Sequence, residues 1–319
     1  MRQYEIKIND EGMRLDRFLK KILPEAGLSL LYKSIRKKNI TVNRLKVTPE
    51  YMLDLGDIVY VFFSDETIEK FEGEKKRKKR GHHPKIVLET EHILIMEKPV
   101  GILSHGSGQK YEPNMVDDLI TYLIDTDQYV PRIEKTFTPS ICNRLDRNTS
   151  GLIIGAKTAL GLREVNEMIR QRKIEKYYLT ICEGILREKK EIHSFIEKNE
   201  DNNRVFESQE GKEAFGIYEP VEVTRKYSLV SVNLVTGRTH QIRHQLASIG
   251  LPVLGDHKYG NRRKVWNRNS KEIIEHQLLH SHKLVFPKIE GDLDELSNRV
   301  IESRPKGQFA RVWEEIQNG

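Results

Sequence analysis

Residues 143–158 read NRLDRNTSGLIIGAKT. Asp146 stands between Arg144 and Arg147, Thr149 and Ser150 follow, and the chain then becomes apolar over 152–156. An apolar run of this length reads as a buried strand, so the polar cluster lies in the turn that feeds it. A carboxylate flanked by guanidinium groups is held ionised by the opposite charge. The same residues also suit a plain ion pair that closes a turn, and residue type alone does not choose between the two.

A second segment is equally dense in polar side chains. Residues 236–260 read TGRTHQIRHQLASIGLPVLGDHKYG, with Arg238, His240, Arg243 and His244 close together after a glycine turn, and a second Gly-Asp turn ending at Tyr259. Bases this near a tight turn can line an anion site; the alternative is a capped helix with a solvated basic face. Around these two segments the pattern predicts strands over 177–181 and 229–234 and helices over 159–171 and 240–248. The stretch KIVLETEHILIMEKPVGILSH (85–105) opens this region with strands. Regular βαβα alternation is missing, which disfavours a doubly wound parallel sheet.

The first 63 residues read differently. Helices are expected over 13–23 and 28–37; in the second, Leu28, Leu31, Tyr32 and Ile35 share one face and Lys33, Arg36 and Lys37 the other. ITVN, a turn at Asn43 and Arg44, and the alternating LDLGDIVYVFF then predict a small sheet. Residues 64–84 hold five acids followed by six consecutive bases over 75–80. So little apolar surface cannot offset ordering entropy, and the segment is expected to be a charged linker. Three parts result: 1–63, the linker 64–84, and 85–319.

The whole chain has 319 residues, 54 Lys plus Arg against 47 Asp plus Glu, a formal charge of +7, and 37% hydrophobic residues. Residues 1–62 carry 12 bases against 8 acids, so more than half of the excess lies in a fifth of the chain. A basic excess points to an anionic partner. No apolar run nears the roughly 20 residues needed to cross a bilayer, and MRQYEIKIND has no apolar signal core. A cytoplasmic protein without membrane contact is expected. Two cysteines without CxxC spacing give neither a disulfide framework nor a cysteine zinc site. GILSHGSGQK lacks phosphate-loop spacing and GxSxG is absent, which removes nucleotide and serine hydrolysis. His276 and His280 in HQLLHSH have no carboxylate ligand placed with them, so no metal is expected.

Taken together, these segments resemble the signature motifs of the RluA-type RNA pseudouridine synthases. EKPVGILSH resembles the family's opening lysine-proline motif, NRLDRNTSG its HRLDxxTSG motif, and KYYLTICEG its KxYxAxVxG motif. TGRTHQIR with GLP, GD and YG resembles the closing motif, and LLHSHKLVFP the late LHAxxLxF strand. GMRLDRFL, LYKSIRKKNITVN and LDLGDIV resemble the small RNA-binding domain named after ribosomal protein S-four. The N-terminal wording and the HGSG are most similar to the RluC and RluD branches, whose substrate is large-subunit ribosomal RNA.

The resemblance implies an α+β fold: a catalytic domain on a mixed, largely antiparallel sheet, preceded by a small α/β RNA-binding domain. It implies an isomerase that detaches uracil from its ribose, rotates it and rejoins it through carbon, with no cofactor. Asp146 matches the catalytic aspartate, Tyr178 the active-site tyrosine, Arg243 the base that pairs with the aspartate, and Arg144 the arginine that displaces the target base. Arg14, Arg17, Lys33, Arg36, Lys37, Arg238 and His240 become RNA contacts. Asp146 acts on the sugar either as nucleophile or as base. Transfer RNA as substrate, and a non-catalytic role in ribosome assembly, are the alternatives; a monomer is expected. Two positions depart from the pattern: Asn143 replaces the usual histidine, and Gln245 stands where the closing motif has its second histidine.

Overall fold

The computed structural model describes residues 1–72, 81–106, 108, 111–131, 136–199, 204–260, 265–267 and 272–318. The chain begins with β1 (Arg2–Glu5), α1 (Leu15–Ile22), α2 (Leu28–Arg36), β2 (Ile40–Val42), β3 (Ile58–Val61) and α3 (Asp65–Glu72). The three strands pair antiparallel in the order β1-β3-β2. Leu15, Phe18, Leu19 and Ile22 of α1 pack with Leu31 and Ile35 of α2 against Val42, Val59 and Val61. The helical spacing of those apolar residues is what the sequence offered, and both helices form within a residue or two of the expected bounds.

One expectation fails here. Eight residues of the supposed linker are the helix α3, with Ile68 fully buried in the N-terminal core and Phe71 packed on it. Two apolar side chains three residues apart share a helix face, and the acids around them, including Asp65 and Glu66 in the first turn, favour the helix N-terminus. The charge count hid a short amphipathic helix. The basic run 75–80 lies outside the described residues.

The rest of the chain supplies β4 (Lys85–Glu89), β5 (Ile93–Lys98), α4 (Met115–Asp125), β6 (Ser140–Ile141), β7 (Ser150–Ala156), α5 (Ala159–Arg170) and β8 (Glu175–Glu183). There follow β9 (Lys190–Asn199), β10 (Arg204–Glu207), β11 (Lys212–Val223), β12 (Tyr227–Leu234), α6 (Gln241–Ser248), β13 (Val265–Asn267) and β14 (Glu272–Ile273). β15 (Leu279–Val285), β16 (Val300–Glu302) and α7 (Gln308–Asn318) complete it. Among the described residues an eleven-stranded sheet runs β10-β9-β11-β12-β8-β15-β7-β5-β4, with β16 added to β15 and β6 to β7. Its pairings are antiparallel except β15 with β7, where His280 faces Ser150 and Ser281 faces Gly151. The fold is α+β.

Successive residues of the inner strands feed opposite faces. Ile93, Ile95, Leu152 and Ile154 join Val165 and Met168 of α5, while Leu94, Met96 and Ile153 join Leu119 and Leu123 of α4. Helices on both faces explain why these strands read as continuous apolar runs rather than alternating ones. Asn114 and Thr158 cap α4 and α5, their side chains accepting from Asp117 N and Gly161 N. On the far half of the sheet, Ile242 and Leu246 seat α6 on Tyr178, Cys182, Val230 and Val232. That seat brings the start of α6 beside the loop before β7.

Candidate active site

The loop from Asn143 to Ser150 is clamped from below. Ser104 Oγ accepts from Leu145 N at 2.9 Å and donates to Leu145 O at 2.7 Å, one residue before Asp146. Lys98, with no exposed surface, donates to the carbonyls of Pro99, Ile102 and Arg147 at 2.9, 2.7 and 2.8 Å. Burial draws its pKa down, to about 7, while its three carbonyl acceptors take up three N–H donors, which only the ammonium has. EKPVGILSH is therefore the brace that holds the Asp146 loop. At the other end Gly151 has φ +111°, and a Cβ there would lie 2.2 Å from Ser281 O. Only glycine fits where β7 crosses onto β15.

Asp146, with a quarter of its side chain exposed, receives Arg243 Nη1 on Oδ2 at 2.9 Å. Arg243 is buried in the first turn of α6, and its other edge is held bidentate by Asp256: Nε to Oδ2 at 2.7 Å and Nη2 to Oδ1 at 2.9 Å. Asp256, itself 1% exposed, also accepts from Lys258 N at 2.8 Å and Tyr259 N at 3.2 Å. Burial opposes ionisation of both partners, but their mutual pairing wins: Arg243 lies above and Asp256 below its ordinary pKa. The site thus holds a carboxylate, guanidinium, carboxylate row whose inner carboxylate is sealed and whose outer one is open.

Tyr178 sits beneath, on β8, in register with Ser281 on β15. It is buried, and burial first, then the Asp146 charge, pushes its phenol above its ordinary pKa. In the free protein it is a phenol, suited to pack on an aromatic base. His240, at φ +52° just before α6, places Nε2 3.9 Å from Asp146 Oδ2 and Nδ1 2.9 Å from Tyr259 Oη. Burial is the main reason its pKa falls, to about 4, and Arg243 and Lys258 add to the effect. It is a neutral imidazole.

The structure therefore brings Asp146, Tyr178, Arg243 and His240 together. His240, expected as an RNA contact, has only 8% of its side chain exposed and faces Asp146. Arg144 stays exposed beside it, and Arg238 is exposed with Nε bonded to Glu213 O at 2.9 Å. In the N-terminal part Arg17, Lys33, Arg36 and Lys37 are exposed. Arg14 is not a free cation, because Nε and Nη2 pair with Asp16 at 3.1 and 2.8 Å and Glu50 lies 3.5 Å away. A carboxylate two residues on, in the triplet Arg14-Leu15-Asp16, was the signal for that. Asp256 escaped the sequence reading; its signal was the Gly-Asp turn, where Gly255 takes φ +80° against His276 O.

Both departures from the family pattern have structural work. Asn143 Oδ1 accepts from Ile154 N at 2.7 Å and ties the loop to β7. Gln245, fully buried, accepts from Tyr218 Oη at 2.7 Å and donates to Ser194 Oγ and Ala214 O at 2.9 and 3.0 Å, anchoring α6 on β9 and β11.

An open carboxylate fixed by a buried arginine beside a buried tyrosine is an arrangement that can act on a bound substrate. Residues 92–248 match the family model described as RNA pseudouridylate synthase. The chain is 32% identical over 259 residues to ribosomal large subunit pseudouridine synthase C of Vibrio vulnificus, covering 79% of this chain and 78% of that one. It is 30% identical over 314 residues to the Escherichia coli protein of the same name, covering 93% and 94%. The solved structure of human RNA Pseudouridylate Synthase Domain Containing 4 shares the fold, with TM-score 0.56, 20% identity and coverage of 73% and 93%. The chain belongs to the RNA pseudouridine synthases of the RluA type.

Proposed function

We propose that this protein isomerises uridine to pseudouridine in large-subunit ribosomal RNA, with Asp146 as the essential group. The observation that carries the reading is the Arg243 bond to Oδ2 of Asp146, which leaves Oδ1 of a solvent-reachable carboxylate for the ribose. The reaction breaks the C1′–N1 bond, forms C1′–C5, and moves the C5 proton away while N1 gains one. Asp146 acts on the sugar in one of the two roles open to an ionised carboxylate, nucleophile or base. A guanidinium that never deprotonates fixes its orientation through Oδ2. Tyr178 packs on the uracil while it turns. A base stacked in a helix is out of reach, so the nucleotide flips at a cost of a few kcal/mol; Arg144, exposed two residues before Asp146, is free to fill the gap.

The substrate class is supported by relatives named for the large ribosomal subunit, at coverage above nine-tenths for the Escherichia coli protein. The N-terminal part supports an RNA substrate, though not which RNA. Tyr32, Lys33, Arg36 and Lys46 line a groove of about 500 Å³ between α2 and the loop after β2. Three cations along one groove fit a phosphate backbone and position RNA without reading sequence. We assign residues 1–72 to an S-four-like RNA-binding unit on that ground, with Lys46 added to the expected set. Mapping pseudouridine across total RNA of cells with and without the gene tests the substrate: loss of a site in large-subunit RNA supports it, and loss only in transfer RNA overturns it. Asp146→Asn is expected to abolish isomerisation while RNA binding persists; turnover at the wild-type rate refutes the role.

A further inference from the structure

The buried imidazole beside Asp146 has a defined partner at each ring nitrogen. Tyr259 Oη accepts from Val205 N at 2.7 Å and lies 2.9 Å from His240 Nδ1. No third polar partner of that hydroxyl occurs among the described residues. A phenol that already accepts from an amide has one proton to give, and among the described residues His240 Nδ1 is the acceptor within reach. Nδ1 is then an acceptor, and the ring proton of neutral His240 sits on Nε2. The other end of the ring demands the same answer, because Nε2 faces Asp146 Oδ2, and a bare lone pair there would meet a carboxylate.

We propose that Tyr259 is a positioning residue for the reaction, fixing His240 as the Nε2–H tautomer so that a neutral donor faces Asp146. The groups that bear on His240 are Asp146, Arg243, Asp256, Lys258 and Tyr259. The two cations and burial keep the ring from charging, so the donor is present without adding a positive charge. At 3.9 Å the Nε2–H is not yet a hydrogen bond to Oδ2. Contacts of this kind close in the substrate complex, and the closed one would add a second donor on the oxygen that Arg243 already holds, leaving Oδ1 to the sugar. Tyr259 also links this set to β10 through Val205, and its ring lies 5.3 Å under the Arg243 guanidinium.

The inference rests on the proposed isomerase reaction for its kinetic part only. Nitrogen NMR of the full-length protein, with the His240 signal assigned by its loss in His240→Phe, reads the tautomer without RNA or turnover. An Nε2–H neutral ring is expected; an imidazolium or an Nδ1–H ring overturns the proposal. In turnover, Tyr259→Phe is expected to lower kcat roughly tenfold, the worth of one neutral hydrogen bond, with KM for the RNA unchanged. His240→Gln, whose amide places a donor near the Nε2 position, is expected to keep more of kcat than His240→Phe. In the His240→Phe background, Tyr259→Phe is expected to cost nothing further. Additive losses would mean that Tyr259 only stabilises the β10 turn, and would overturn the proposal even if Asp146→Asn is inactive as expected.

Discussion

Asp256→Asn tests how the buried carboxylate governs the open one. Among the described residues, the hydrogen-bonding partners of the Asp256 carboxylate are all donors: Arg243 Nε on Oδ2, and Arg243 Nη2, Lys258 N and Tyr259 N on Oδ1. An asparagine amide must turn its NH2 toward one side. The less costly choice keeps oxygen on the three donors and sets NH2 against Arg243 Nε, donor against donor at 2.7 Å. A charged hydrogen bond worth about 1.5–3 kcal/mol is lost. Breaking a buried ion pair by removing one partner costs about 3–5 kcal/mol, and since Arg243 still has Asp146, the lower end applies. A fall of about 3 kcal/mol in unfolding free energy is expected, read from the urea midpoint.

The kinetic effect follows from the geometry of the fork. Arg243 meets Asp146 through Nη1 alone because its other edge is locked. Released, a guanidinium prefers bidentate contact with a carboxylate, which would cover Oδ1 as well as Oδ2. The oxygen intended for the ribose is then engaged. Release of tritium from uracil carbon five, measured well below the unfolding midpoint, is expected to slow at least about tenfold, corresponding to 1.4 kcal/mol, while RNA affinity stays the same. Wild-type kcat in Asp256→Asn, with or without lost stability, would refute the claim that the inner carboxylate aims the arginine.

Further expectations concern the brace, the buried histidines and the RNA groove. Lys98→Met removes a donor from three part-buried carbonyls, of which Arg147 O keeps Gly101 N, and is expected to destabilise the protein by about 2 kcal/mol or more, at 1–3 kcal/mol for each unsatisfied group; an unchanged urea midpoint would refute the brace. His240 and His280 are both buried with pKa near 4, against about 6.5 unfolded. The unfolded chain takes up their protons first, so stability present above pH 6.5 is lost as pH falls toward 4, by roughly 3 kcal/mol each; His280→Gln should flatten the denaturation profile in that window, and an unaltered profile counts against it. Lys33→Ala with Arg36→Ala is expected to reduce the salt dependence of RNA binding by about two units of slope, and an unchanged slope would show that those charges are merely solvated.

The sequence exposed the reaction centre far better than the means that hold it. Asp146 and Arg243 were legible because polar residues packed between a turn and an apolar run have no place in an ordinary core. The partner of Arg243 was not, since Asp256 lies 13 residues further on behind a turn that looked like a mere loop. The long strands β9 and β11 left little trace: β9 is mostly exposed or half-buried, β11 becomes exposed over its second half, and β10 lies between the two in sequence. Arg14 and His240 are more engaged within the protein than their residue types suggest, for one common reason. Side-chain type announces a charge or a hydrogen-bonding capacity, but whether it faces RNA or a neighbour is decided by packing. Asp16 neutralises the first in its own helix turn, while α6 buries the second against Tyr259. The departures Asn143 and Gln245 point the same way. Each trades a titratable ring for an amide that bonds backbone or buried side chains on the sheet, away from Asp146, so they alter the scaffold of the site and leave its charge row of Asp146, Arg243 and Asp256 intact.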